Sequence, residues 1–206
     1  GMLERLKVAL SLAYSEHSRL LMLVALDKYK PDIVHVHNFF PVLTPSIFDA
    51  CNQRNVPVVH TLHNYRLICP SALLMIDGEI YEKSVTGSAY WSVFKKAYKN
   101  SYLGTYAVAR MIEYHKKRRT WHTAVSKFIA LTRYAKAKYI EAGFPPEKIT
   151  VKPNFIYDPL GGQEIADHGD RIGALFVGRL CEEKGIRTLV KAWKNLDYPL
   201  TVAGDG

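Results

Sequence analysis

The chain has 206 residues, 48% hydrophobic, 12% aromatic and 23% charged, with a formal net charge of +9. That composition excludes a disordered or collagen-like polymer and provides enough chain for one full core plus part of a second. The longest apolar run, residues 20–26, stops at Asp27 and is too short to span a bilayer, and the polar breaks at Ser15, Glu16, His17 and Arg19 are unlike a secretory signal.

Residues 3–28 read as one long helix, with Leu6, Leu10, Ala13, His17, Leu20, Leu21 and Val24 at three-to-four spacing. Pro31 bars its continuation, and residues 32–37 (DIVHVH) read as a buried strand. Thr44-Pro45 marks the next helix start, with Thr44 as the expected cap, and that helix runs to about Arg54. Residues 56–62 (VPVVHTL) form the next strand. Strand, helix, strand with helical length between them implies a crossover and a parallel sheet. Ligands of such sheets bind beyond the C-terminal strand ends. These ends carry His37-Asn38 and His63-Asn64.

Residues 63–86, broken by Pro70 and Asp77-Gly78, read as a functional loop or small insertion. Residues 92–122 read as helical, in two pieces. Strands are expected at 127–132 and 149–152, with a helix at 134–142 ended by Gly143 between them. Between positions 90 and 139, twelve Lys and Arg face Glu113 alone, and Tyr90, Trp91, Phe94, Tyr98 and Tyr102 are interleaved with them. This basic segment suits an anionic membrane surface or acceptor edge, a solvated helix face or, least well, single-stranded nucleic acid.

The stretch 159–171, with Gly161-Gly162 and Gly169, is the best linker. A strand at 173–177, a helix at 185–195 and a strand at 200–203 then start a second unit. The expected fold class is therefore α/β: a Rossmann-like parallel sheet over residues 2–158, then the linker, then the first βαβ of a second Rossmann-like domain over 172–206. Cys51, Cys69 and Cys181 are widely spaced, with no CxxC. They suggest no disulfide framework or zinc site and fit a reducing cytoplasm.

Between the last two strands lies Gly178-Arg179-x4-Lys184-Gly185. Gly178 allows close backbone approach, and Lys184 and Gly185 stand at an incoming helix N-terminus, which favours anions. Arg179 adds a forked donor and Lys184 a point charge, a pair suited to a diphosphate. Taken alone, the same pattern is equally a surface turn with two solvated cations.

FVGRLCEEKGIRTLVKAW resembles the opening of the C-terminal domain of family 4 glycosyltransferases, the large retaining group of GT-B architecture. KPDIVHVHNFF, VPVVHTLHNYRLICP, FIALTRYAKAKYIEAGFPPEKITVKPNF and the closing VAGDG resemble that family in the same order. The resemblance implies transfer of a hexose from a nucleoside diphosphate sugar to an acceptor hydroxyl with retention, in cell-surface glycan or glycolipid synthesis. It implies no metal and no cofactor beyond the donor substrate. It puts the active-site histidine at His63 and the donor diphosphate on Arg179 and Lys184, flanked by Gly178 and Gly185. Thr132 and Asn154, with Asn38 and Asn64, are then expected to line the cleft. On the residues alone, His63 could be a loop-packing histidine, Thr132 a helix cap and Asn154 a turn residue; His35, His37 and His60 read as structural.

The implied partners are a nucleotide sugar and a glycan or lipid-linked acceptor, with no nucleic acid, in the cytoplasm or on the inner face of the membrane through residues 90–139. The family's first strand and glycine-rich loop are expected before Met2, and its Glu-x7-Glu motif beyond Gly206. A homodimer covering the exposed sheet edge, and little transfer by this chain alone, are therefore expected. The alternative function is a non-catalytic basic module that holds a membrane, polysaccharide or protein partner.

Overall fold

A computed structural model describes residues 11–158, 161 and 172–206. The chain separates into two units, Gly1–Phe155 and Ile156–Gly206.

The first unit opens with helix α1, Glu16–Tyr29, capped by Ser15, whose hydroxyl accepts the Ser18 N–H at 3.2 Å. The single helix expected over 3–28 is thus interrupted at residues 12–15, and its part before residue 11 lies outside the described residues. The break is imposed by a distant contact, because the Ser15 N–H donates to Thr44 Oγ1 at 3.1 Å and holds Ser15 extended. Thr44 is spent on that bond and on one with Ser46 Oγ at 2.8 Å. It does not cap helix α2, Ser46–Gln53, which starts at Pro45 without a side-chain cap.

Strands β1 (Val34–Val36) and β2 (Val58–Leu62) flank α2 in the chain. A small insertion follows. Its hairpin, β3 (Met75–Ile76) and β4 (Glu79–Ile80), turns at Asp77-Gly78, both at positive φ as a tight hairpin requires. A short helix α3, Lys83–Thr86, leads to a 3₁₀ segment, Ala89–Lys95. Helix α4 (Tyr102–Lys117), capped by Ser101, and helix α5 (Thr120–Thr123) come next. The region expected as two helical pieces is therefore three. Left-handed residues at Lys96, Lys99, Asn100 and Arg119 make the breaks, and no glycine or proline stands there to announce them.

Strand β5 (Lys127–Ala130), helix α6 (Arg133–Glu141) and strand β6 (Ile149–Val151) complete this unit. Its sheet has the order β1-β2-β5-β6 and is parallel throughout, with Val36 opposite His60, Leu62 opposite Ala130 and Phe128 opposite Ile149. The α/β, Rossmann-like parallel sheet read from the sequence is what the chain forms. Phe48, Phe128, Val58 and Ala130 are fully buried at its centre. The Phe48 ring meets Phe39 and Trp121 edge-on, and Phe144 stacks on Trp121. Each buried aromatic contributes about 1.5–3 kcal/mol. This core holds the C-terminal strand ends in register.

In the second unit, β7 (Ala174–Val177) and β8 (Leu200–Ala203) pair in parallel around helix α7, Ile186–Trp193. Apart from Gly161, the expected linker 159–171 lies outside the described residues.

Candidate active site

Beyond the ends of β1 and β2, two cross-strand rungs join equivalent positions. His37 Nδ1 lies 2.7 Å from His63 Nε2. Next to it, Asn64 Nδ2 donates to Asn38 Oδ1 at 3.1 Å. Asn64 is used further: its Oδ1 accepts the Arg66 N–H at 2.9 Å, and its carbonyl accepts the Tyr139 hydroxyl at 2.5 Å. Asn38 and Asn64 thus brace the loop that carries His63.

His35 and His37 read as structural from the sequence, yet both are exposed. Their ring centroids are 4.2 Å apart, and His35 Nε2 bonds Thr61 Oγ1 at 2.8 Å. Burial, and then the neighbouring His37, hold the His63 pKa below its ordinary value, which favours a neutral ring at pH 7. His35 is lowered in the same way. His60 lies underneath, buried among Phe39, Phe48 and Phe128, and burial pushes it down to about 3. It serves as a neutral core residue, and its Nδ1 has no hydrogen-bond partner among the described residues.

Two clefts meet at this point. The first, of about 290 Å³, lies between the strand ends and the insertion, and His37, Asn38, His63, Asn64, Arg66 and Tyr98 are among its walls. The second, of about 180 Å³, runs along His35, His37, His63, Lys152 and Asn154. His63 borders both. Asn154 borders the second only. Thr132 borders neither; its hydroxyl accepts the Ala135 N–H at 3.0 Å and caps α6.

The remaining predicted residues lie in the second unit. A Cβ on Gly204 would overlap the Gly178 carbonyl oxygen, so the turns after β7 and β8 touch backbone to backbone. The Gly178 N–H donates to the Ala203 carbonyl at 3.0 Å. Gly185, at φ 71°, links the 3₁₀ turn Glu182–Lys184 to α7. Arg179 is exposed and donates to Glu183 Oε1 at 2.6 Å, a surface pair worth about 0.3–0.5 kcal/mol. Lys184 is exposed and makes no ion pair among the described residues.

The sequence does not announce His37 as the partner of His63, nor Arg66, Tyr98 and Lys99 as walls of the first cleft. The alternation His35-x-His37 placed both histidines on one face, which was the available signal for His37. Nothing in the sequence joined Arg66 to a tyrosine 32 positions later. All three cysteines are free, and burial pushes the Cys51 thiol up to about 11, so it is inert. Among the described residues no His, Cys, Asp and Glu cluster could hold a metal ion, and no helix is long and apolar enough to cross a membrane.

The sequence profile of the family described as Glycosyltransferase Family 4 matches residues 9–158. A curated protein of Klebsiella pneumoniae, "Uncharacterized 42.6 kDa protein in cps region", is 31% identical over 169 residues. The match covers 79% of this chain and 37% of that protein, so the chain spans little more than a third of that relative's length. No solved structure matches.

Proposed function

The chain belongs to glycosyltransferase family 4, and from that premise we propose that it serves an enzyme of the GT-B type that moves a hexose from a nucleoside diphosphate sugar to an acceptor hydroxyl, with retention. The observation that carries this reading is His63. It stands just past the end of β2, bordering both clefts, with its Nε2 held by His37 at 2.7 Å. A neutral, oriented imidazole there can hydrogen-bond a hydroxyl of the transferred sugar and steady charge that develops at its ring.

In the reaction, the bond from the anomeric carbon to the diphosphate oxygen breaks, and its electron pair leaves with the diphosphate. The acceptor oxygen bonds to that carbon, and its proton passes to the departing phosphate oxygen. Arg179 and Lys184 neutralise the leaving group. The Arg179–Glu183 pair is weak enough for a diphosphate to displace it. No protein nucleophile is assigned.

The relative's place in a cps region supports cell-surface glycan synthesis as the setting. Exposed Trp91 and Phe94 beside Lys95 and Lys96 support peripheral contact with a membrane that presents a lipid-linked acceptor from the cytoplasmic side. The outer edges of β1 and β6 pair with no strand among the described residues, which supports a homodimer, to be checked by light scattering.

Calorimetric titration with UDP, GDP and ADP sugars tests the proposal. One of them is expected to bind, and Arg179→Ala is expected to weaken it about tenfold. Binding that Arg179→Ala leaves unchanged defeats the assignment. The same exposed aromatics favour a second reading, a non-catalytic basic module. Salt-sensitive binding to anionic vesicles without nucleotide-sugar affinity selects it.

A further inference from the structure

The first cleft contains a charge that the His63 chemistry does not use. Arg66 is half-buried, and its guanidinium lies over Phe40 at 5.5 Å and over Tyr98 at 4.8 Å. One N–H goes to the Pro70 carbonyl. Among the described residues no carboxylate forms an ion pair with it. Burial lowers its pKa from the ordinary arginine value, yet a guanidinium stays charged. A half-buried cation with no counter-charge is costly, and an anionic ligand would offset that cost.

Lys99 reaches the same place from another segment, with Nζ 5.5 Å from the Tyr98 ring centre. Tyr98 is thus a platform for two cations. Lys99 and Asn100 are both left-handed, a conformation that side-chain-bearing residues avoid and that concentrates at ligand sites. Among the described residues no Asp or Glu lines this cleft. A fork and a point charge lining one cleft can together engage the several oxygens of a phosphate.

We infer that Arg66 and Lys99, gathered on Tyr98, form a binding site for a phosphate group of the acceptor. This rests on reading the first unit as the acceptor side. The acceptor is then a phosphorylated or phosphate-linked molecule whose reacting hydroxyl lies toward His63, which borders the same cleft.

The test uses inorganic pyrophosphate, titrated into the chain with Arg179→Ala and Lys184→Ala already in place, so that the proposed donor site does not contribute. Binding is expected to persist there, to weaken about tenfold or more on adding Arg66→Met, and to weaken several-fold on adding Lys99→Gln. Lys99 is exposed, so its variant reads the site even if Arg66→Met fails to fold. No binding in that background, or binding indifferent to Lys99→Gln and to any folded Arg66 variant, overturns the inference. Nucleotide-sugar affinity is measured on the Arg66 and Lys99 variants in parallel. It is expected to be unaffected, so failure of this site is distinguishable from failure of the donor assignment. A second arm uses phosphatidylglycerol vesicles. Vesicle binding lost in the Lys99→Gln and Arg66→Met variants assigns the phosphate to a lipid headgroup, and vesicle binding that ignores them assigns it to a soluble phosphate.

Discussion

His37 Nδ1 and His63 Nε2 lie 2.7 Å apart and tie the C-terminal ends of two neighbouring parallel strands together. At that distance one ring donates and the other accepts, so the bond selects a tautomer of His63 and restrains its ring. A positive charge forming on His37 opposes one on His63, which is part of why the His63 pKa is lowered. In the variant His37→Asn, the His63 pKa is expected to rise toward the ordinary histidine value, as followed by NMR titration of the imidazole signals. A His63 titration that does not move would show that the bond has no electrostatic consequence.

Replacing His63 itself separates binding from chemistry. If its ring acts mainly on charge that develops during transfer, His63→Ala should leave nucleotide-sugar affinity the same and, in a longer form of the protein that supports transfer, lower the rate by about 10²–10³-fold. A loss confined to affinity would make His63 a binding residue only.

His60 gives the fold a pH dependence of predictable sign. Its folded pKa of about 3 lies below the ordinary value of 6.5 because the charged ring is unwelcome in the core. The unfolded chain therefore takes up a proton that the folded chain refuses. This contribution to stability is complete above about pH 6.5 and is lost as the pH falls toward 3. His115, buried and pushed down to about 4, acts in the same direction. Thermal melts are expected to fall between pH 7 and pH 4, and His60→Leu is expected to make that fall shallower. Parallel curves for the two proteins would remove His60 from the explanation.

Two glycines of the second unit should respond differently to the same change. A Cβ at Gly204 would overlap the Gly178 carbonyl oxygen, so Gly204→Ala must separate the turns after β7 and β8. Nucleotide-sugar binding is expected to be lost. Gly185 is left-handed, but nothing lies within 4 Å of its Cβ position. Gly185→Ala should therefore cost only the conformational strain, about 1–2 kcal/mol of stability, with binding retained. Equal losses of binding would refute the claim that the contact between Gly178 and Gly204 shapes this site.

Much of the architecture is legible in the amino-acid sequence. The strands at 34–36, 58–62, 127–130 and 149–151 were readable because each is a short β-branched or apolar run bounded by turn residues. Thr132 was readable as a cap, and Gly143 as a stop, because both act within a few residues of their own position. The break before Glu16 was not readable. Its one local signal is Ser15, a serine able to cap at Ser18, but the bond from the Ser15 N–H to Thr44 that holds the break open is encoded by no local preference. The three-way division of residues 89–123 was hidden as well, since its left-handed residues are lysine, asparagine and arginine rather than glycine.

The same division holds at the site. His63 could be placed just past a strand end from the extent of the run 56–62, and the GR-x4-KG turn could be placed between a strand and a helix. By itself, then, the sequence determined the parallel α/β scaffold and the strand ends where ligands gather, because hydrophobic period and turn chemistry act over a few residues. Only the tertiary structure decided that His37 restrains His63, that Asn64 is occupied in bracing its own loop, and that Arg66 and Lys99 share one tyrosine ring without a carboxylate beside them. His37 and His63 stand 26 positions apart, Arg66 and Lys99 33, and Asn64 and Tyr139 75, and only packing of the sheet against its insertion brings such groups together.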